Sequence, residues 1–176
     1  MTNSLNFFLA TRPTFLIITL LGCLLGLLLP QAFSVPWHLV VLSTLVAVTA
    51  HGGANLFNDY FDHLNGSDAV NIGRIGPFTG GSRFIQNKTL SPSAIYGLAL
   101  TLTITSITLG IYVCSQTTWK LIPIGIFGVL IAWAYSAPPL QLMSKGILGE
   151  LAIAIAWSLI VIGFSMLVTN ELNIGV

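Results

Sequence analysis

The chain has 176 residues, of which 55% are hydrophobic and only 6% charged. A water-soluble domain carries about a quarter charged residues, so a solvated surface is excluded and the chain must live in a membrane. Six basic and five acidic side chains leave a formal net charge of +1, too few and too scattered to form a face for nucleic acid.

A helix crosses the hydrocarbon core with about 20 apolar residues, and five segments approach or reach that length. The first, 14–29, follows a tail with a single basic residue, Arg12, and no small-residue cleavage pattern, so it reads as a retained span that can extend back into 7–10. Pro30 and Pro36 bracket the turn to the second span, 37–57. The third, 92–114, opens with Ser91 as N-cap and Pro92 in the first helical turn. Spans at 119–135 and 150–168 complete an all-α membrane protein. Trp37, Trp119, Trp133 and Trp157 fall mostly near expected span ends, where amphipathic rings favour the interface. Cys23 and Cys114 sit inside apolar runs without CxxC spacing, as core or lipid-facing residues do.

The loops alternate in charge. Arg12, Arg74, Arg83, Lys88 and Lys145 fall on one side of the expected bundle and only Lys120 on the other. The positive-inside rule then puts the N-terminus and the long polar loops in the cytoplasm of a multi-pass protein, in a cell's inner membrane.

Three of the five acids, Asp59, Asp62 and Asp68, lie within ten residues beside Asn55, Asn58 and Asn65. If the second helix runs on, positions 55, 58, 59, 62 and 66 share one face, because spacings of three and four return to the same side. Carboxylates so placed repel each other unless a cation lies between them. Mg²⁺ is the natural choice, since it takes one or two carboxylates and completes its shell with water and phosphate oxygens. The bland reading is a solvated helix end, but acids near a membrane core are expensive and tend to be functional. Downstream, Gly76-Pro77-Phe78-Thr79-Gly80-Gly81 is flanked by Arg74 and Arg83, with Lys88 beyond. Exposed backbone N–H groups and guanidinium groups suit a phosphate. A second polar loop, 135–150, begins Tyr135-Ser136-Ala137-Pro138-Pro139 and carries Lys145; alone it reads as a connection. His51 reads as a hydrogen-bonded interior residue, and His63, four residues after Asp59, makes no zinc pattern.

Asn58-Asp59-Tyr60-Phe61-Asp62 together with Tyr135-Ser136-Ala137-Pro138-Pro139 resembles the UbiA superfamily of intramembrane prenyltransferases. The run from Asn55 to Asp62, then Gly66-Ser67-Asp68 and Arg74-Ile75-Gly76-Pro77, is similar to the branch that prenylates 1,4-dihydroxy-2-naphthoate in menaquinone synthesis. The resemblance implies a nine-helix bundle around a cavity open to lipid, of which 1–176 would be the N-terminal portion of a single domain. It implies Mg²⁺-dependent transfer of a prenyl group from a polyprenyl diphosphate to an aromatic acceptor, with Asp59 and Asp62 as catalytic metal ligands. Asn55, Asn58, Asp68, Arg74, Arg83, Tyr135, Ser136 and Lys145 become candidates for the substrate and its diphosphate. Two departures stand out within the matched motifs. Many members have a third acid where this chain has Gly66, and the naphthoate branch supplies one at the position of Asp68; members often have basic residues where this chain has Gln141 and Met143. The family's second Asp-rich motif has no counterpart after Glu150, which implies a piece of a longer protein or an inactive remnant. A transporter or channel half, with Asp59, Asp62 and His51 along an ion path, stays open as a rival; it calls for acids in mid-span and a broken helix there.

Overall fold

The structure, a computed structural model, describes residues 3–30, 35–71, 73, 75–76 and 80–169. Among them there is no strand. The elements are α1 (Asn3–Ala10), α2 (Pro13–Leu28), α3 (Trp37–Asn65), α4 (Ser67–Val70), α5 (Pro92–Gln116), α6 (Ile122–Ser136) and α7 (Ile147–Thr169), with 3-10 turns at Trp119–Leu121 and Leu142–Ser144. Four spans, counting Trp119–Ser136 as one, are long and apolar enough to cross a bilayer, and α1 with α2, bent by 57°, meets the same length and hydropathy when the pair is counted as one broken span. Large apolar side chains stand outward on several helices, with Leu21, Ile104 and Phe127 all close to 60% exposed. In water that would be untenable; in lipid it is the expected surface. The chain is an integral membrane protein.

The bend between α1 and α2 follows from the sequence. Proline disfavours helical geometry in the residue before it, and Arg12, ahead of Pro13, adopts the left-handed conformation at φ 56° and ψ 63°. At the other break, Ser91 caps α5 as expected, its hydroxyl accepting from the Ala94 N–H at 3.1 Å. The second span runs eight residues past the expected Phe57 and stops at Asn65, where Gly66 (φ 80°) closes it in the left-handed conformation that glycine adopts without cost. Gly66 therefore leaves the predicted polar face. The last span begins at Ile147, three residues earlier than its expected start at Glu150.

Most elements pack on α3, above all α5, while α2 lies along α7. Without a hydrophobic drive between helices in lipid, close approach relies on small residues and interhelical hydrogen bonds. Both occur. A Cβ at Gly26 would meet the Val161 carbonyl at 2.5 Å, and Ser106 Oγ on α5 donates to the Val46 carbonyl on α3 at 2.9 Å. Near the polar end, Phe57 and Phe61 stand edge-on to Trp133, with centroids 5.2 and 5.4 Å away. Trp133 and Trp157 are thus packing residues, and Trp37 and Trp119 are the two that begin spans.

Candidate active site

α3 is unbroken through its acidic end, so Asn55, Asn58, Asp59 and Asp62 share a face as the spacing predicted. Asp59 is 2% exposed and Asp62 6%. Buried carboxylates of this kind need partners, and the break at Arg12 supplies the main one. Its guanidinium reaches from the start of α2 to α3, forms an ion pair with Asp59 Oδ1, and donates from the same nitrogen to Asn58 Oδ1 at 3.0 Å. Asn58 then donates through Nδ2 to Asp62 Oδ2 at 3.0 Å. A guanidinium on one side and a carboxylate on the other fix which way this carboxamide points. Asn55 donates to the Thr11 carbonyl at 2.9 Å, holding the break itself against α3.

The loop that follows α4 closes over the same acids. Ser82 donates to Asp59 from its hydroxyl and from its backbone N–H, the latter at 3.2 Å to Oδ1 and 3.1 Å to Oδ2. Gly81 (φ 71°) lies so close that a Cβ there would sit 3.0 Å from both Asp59 Oδ1 and Asp68 Oδ2, and 3.3 Å from Arg12 Nη2. Arg83 donates to the Asp68 carbonyl, and Gln86 donates to Asp68 Oδ2 at 2.9 Å. Burial, and then the charge of Asp59, push the Asp68 carboxyl above the ordinary carboxylate range, against the opposing pull of Arg12, Arg83 and the Gln86 hydrogen bond.

The second polar loop arrives beneath Asn58. Ser136 is 1% exposed and lies 3.4 Å from Asn58 Nδ2, and the Met143 sulfur lies 3.1 Å from the same nitrogen. At position 143, where the resemblance led to the expectation of a basic residue, this chain has a soft acceptor turned to a carboxamide. Tyr135 is half-buried, within electrostatic reach of Asp62 and Arg12. Lys145 is exposed and makes no side-chain bond to these residues. Arg74 and the Pro77-Phe78-Thr79 stretch lie outside the described residues. His51 is the interior residue expected, with Nδ1 2.8 Å from Thr19 Oγ1 and its ring edge-on to Trp157.

Sequence reasoning assigned Arg12 to topology alone and passed over Ser82. Arg12 carried a usable signal, because a charge just ahead of a proline at the mouth of an apolar span sits where the helix must break. Ser82 carried none, since only folding of the loop brings it to Asp59.

Two buried polar atoms in the described residues have no partner, Asp62 Oδ1 and Arg12 Nε. They sit at the two ends of the Arg12–Asn58–Asp62 chain. One is an anionic oxygen able to take a cation, the other an N–H able to take an anion. Among the described residues no three His, Cys, Asp or Glu side chains converge on a metal. The donor set therefore fits a cation that takes a single carboxylate from the protein and other oxygens from elsewhere, as Mg²⁺ does with phosphates.

An all-helical membrane bundle with acids and a guanidinium gathered at one end belongs to a recognisable class. Residues 16–176 match the UbiA prenyltransferase family, and the chain belongs to it. Within that class it is similar to the 1,4-dihydroxy-2-naphthoate octaprenyltransferase of Bacillus subtilis (strain 168), with 31% identity over 133 residues. The alignment takes in 75% of this chain and 41% of that protein, so the chain spans less than half of that relative's length. No solved structure matches the chain.

Proposed function

We propose that this chain carries the donor-binding part of an enzyme that moves a prenyl group from a polyprenyl diphosphate to an aromatic acceptor. By its likeness to the Bacillus protein, the acceptor is 1,4-dihydroxy-2-naphthoate, in quinone synthesis. The observation that carries this reading is the pair of buried, unpartnered atoms, Asp62 Oδ1 and Arg12 Nε, linked through Asn58. A cation is wanted at one end of this linkage and an anion at the other, and a metal diphosphate offers both.

In the reaction the bond between the allylic carbon and the diphosphate oxygen breaks, and both electrons leave with the diphosphate. A ring carbon of the acceptor attacks the allylic cation, and the ring regains aromaticity when that carbon releases a proton or, where it bears the carboxylate, CO₂, the bonding pair returning to the ring. The acidic end of α3 would hold Mg²⁺ through a carboxylate, and the ion would neutralise charge growing on the departing diphosphate. Arg12, held on Asp59 and Asn58, adds a fixed positive charge that needs no reorganisation as the bond breaks. The apolar faces of the helices keep water from the cation and let the isoprenoid tail stay in lipid. The loops that carry this site are cytoplasmic in this reading. An ion path through Asp59 and Asp62 has less support, because α3 is continuous there and the acids sit in its last two turns.

The test is Asp62→Asn in the intact protein, assayed with a prenyl diphosphate and the naphthoate. We expect a loss of turnover of about a hundredfold or more with the melting temperature held near that of the parent. Unchanged turnover would overturn the assignment.

A further inference from the structure

The two acids of α3 stand in different circumstances although they lie three residues apart. Asp59 has no oxygen to spare: Oδ1 takes Arg12 and the Ser82 N–H, and Oδ2 takes the Ser82 N–H and hydroxyl. It also has no room. The Gly81 backbone closes on it so tightly that even a methyl group would stand 3.0 Å from Oδ1, whereas Mg²⁺ at about 2.0–2.1 Å from its ligands keeps several waters. Asp62 is the reverse case. Asn58 occupies Oδ2 and leaves Oδ1 buried and unmet.

Arg12 shows what Asp59 is for. Its backbone holds a left-handed conformation that a residue with a side chain rarely adopts, and two side chains of α3 keep it there, Asn55 through the Thr11 carbonyl and Asp59 through the guanidinium. The hold is through Nη2 alone. Nε is buried without a partner, and Nη1 bonds to nothing among the described residues. A guanidinium anchored by one nitrogen and free at the other two is turned to receive a further anion.

We propose that Asp59 is a positioning residue that holds Arg12 towards the donor diphosphate, and that Asp62, through Oδ1, is the acid that meets the divalent cation. The proposal rests on the prenyl-transfer reading and divides between two residues a task that their spacing alone assigns to both. Asn58 joins the halves, accepting from Arg12 and donating to Asp62, so cation and guanidinium are set at a fixed separation.

The direct experiment is titration of the intact protein in nanodiscs with Mn²⁺ alone, followed by electron paramagnetic resonance without substrate. Asp62→Asn should weaken Mn²⁺ binding by about tenfold or more, and Asp59→Asn should change it by less than about twofold. In transfer assays Asp59→Asn and Arg12→Gln should each raise KM for the prenyl diphosphate by roughly tenfold to a hundredfold, the range for a lost charge-assisted bond. The Mg²⁺ concentration for half-maximal rate should stay in place, and the double variant should be no worse than Arg12→Gln. If Asp59→Asn weakens Mn²⁺ as much as Asp62→Asn does, or if the double variant loses the product of the single losses, the division is wrong. Should Asp59→Asn fail to fold because Arg12 is left unpaired, the Arg12→Gln/Asp59→Asn protein removes both charges and its Mn²⁺ affinity decides instead. Absence of transfer by the parent protein would sink the functional reading, while the Mn²⁺ titration would still show which acid meets the cation.

Discussion

Gly81→Ala is the sharpest perturbation of the loop over the acids, and the structure supplies its control. At φ 71° an alanine bears the left-handed cost of about 1–2 kcal/mol. Its Cβ would also arrive 3.0 Å from Asp59 Oδ1 and Asp68 Oδ2 and 3.3 Å from Arg12 Nη2, so carboxylates and guanidinium must draw apart by several tenths of an ångström. Gly66 has a similar φ of 80° but nothing within 4 Å of its Cβ position. Gly66→Ala therefore bears the backbone cost alone, and the difference between the two variants isolates the crowding. Overpacking of a tight site costs about 1–3 kcal/mol, so Gly81→Ala should melt well below Gly66→Ala in a thermal scan of the detergent-solubilised protein. It should also raise KM for the prenyl diphosphate by roughly tenfold, while Gly66→Ala leaves KM within about twofold. Equal losses of melting temperature and equal KM values in the two variants would refute the claim that the loop rests on the carboxylates.

Other outcomes follow from single contacts. Asn55→Ala removes the tie from α3 to the Thr11 carbonyl and should lower stability by about 1 kcal/mol while raising KM for the prenyl diphosphate, measured by melting and kinetics together. Gly26→Leu forces α2 off the Val161 carbonyl and should destabilise strongly, whereas Gly97→Ala, with nothing within 4 Å, should not; yield of folded protein after detergent extraction reads the contrast. Asp68 has a folded-state pKa raised chiefly by burial, so its ionisation works against the fold as pH rises through that value. Asp68→Asn should accordingly melt above the parent at neutral pH, and the gap should close as the pH falls and the parent's carboxyl takes up its proton.

Much of the scaffold was legible because lipid writes in long words. Runs of apolar residues near the thickness of a bilayer locate helices, and Ser91-Pro92 marked the start of α5 to the residue. Ends were harder. α3 continues eight residues beyond its apolar run because Leu56, Phe57 and Phe61 still bury one side of it while the acids occupy the other, so hydropathy fades before the helix does. The acidic face was legible from spacing, and only Gly66 was misplaced, since a glycine that closes a helix looks the same in sequence as one that continues it. What spacing does not encode is the partner brought from elsewhere. Arg12 meets Asp59 across 47 positions and Ser82 meets it across 23, and both contacts depend on a bend and a loop whose geometry is set by packing. The same is true of Met143, whose sulfur reaches Asn58 only because the second polar loop folds beneath α3.

The charge balance of the site bears on the order in which ligands arrive. Three carboxylates, Asp59, Asp62 and Asp68, face two guanidinium groups, Arg12 and Arg83, so this cluster is negative by one. A bare diphosphate approaching it meets like charge in surroundings of low dielectric, where repulsion is poorly screened. With a divalent cation on Asp62 Oδ1 the balance becomes positive by one, and the free nitrogens of Arg12 then face an anion that the cation already attracts. Inorganic diphosphate should therefore raise the melting temperature of the protein in the presence of Mg²⁺ and leave it unchanged in EDTA, because only a ligand that binds the folded state stabilises it, by RT ln(1 + [L]/Kd). A saturating ligand at a hundred times its Kd would contribute about 2.7 kcal/mol, well within what a thermal scan resolves. An equal shift in EDTA would mean that the guanidinium groups alone hold the diphosphate and that Asp62 Oδ1 is met by something else.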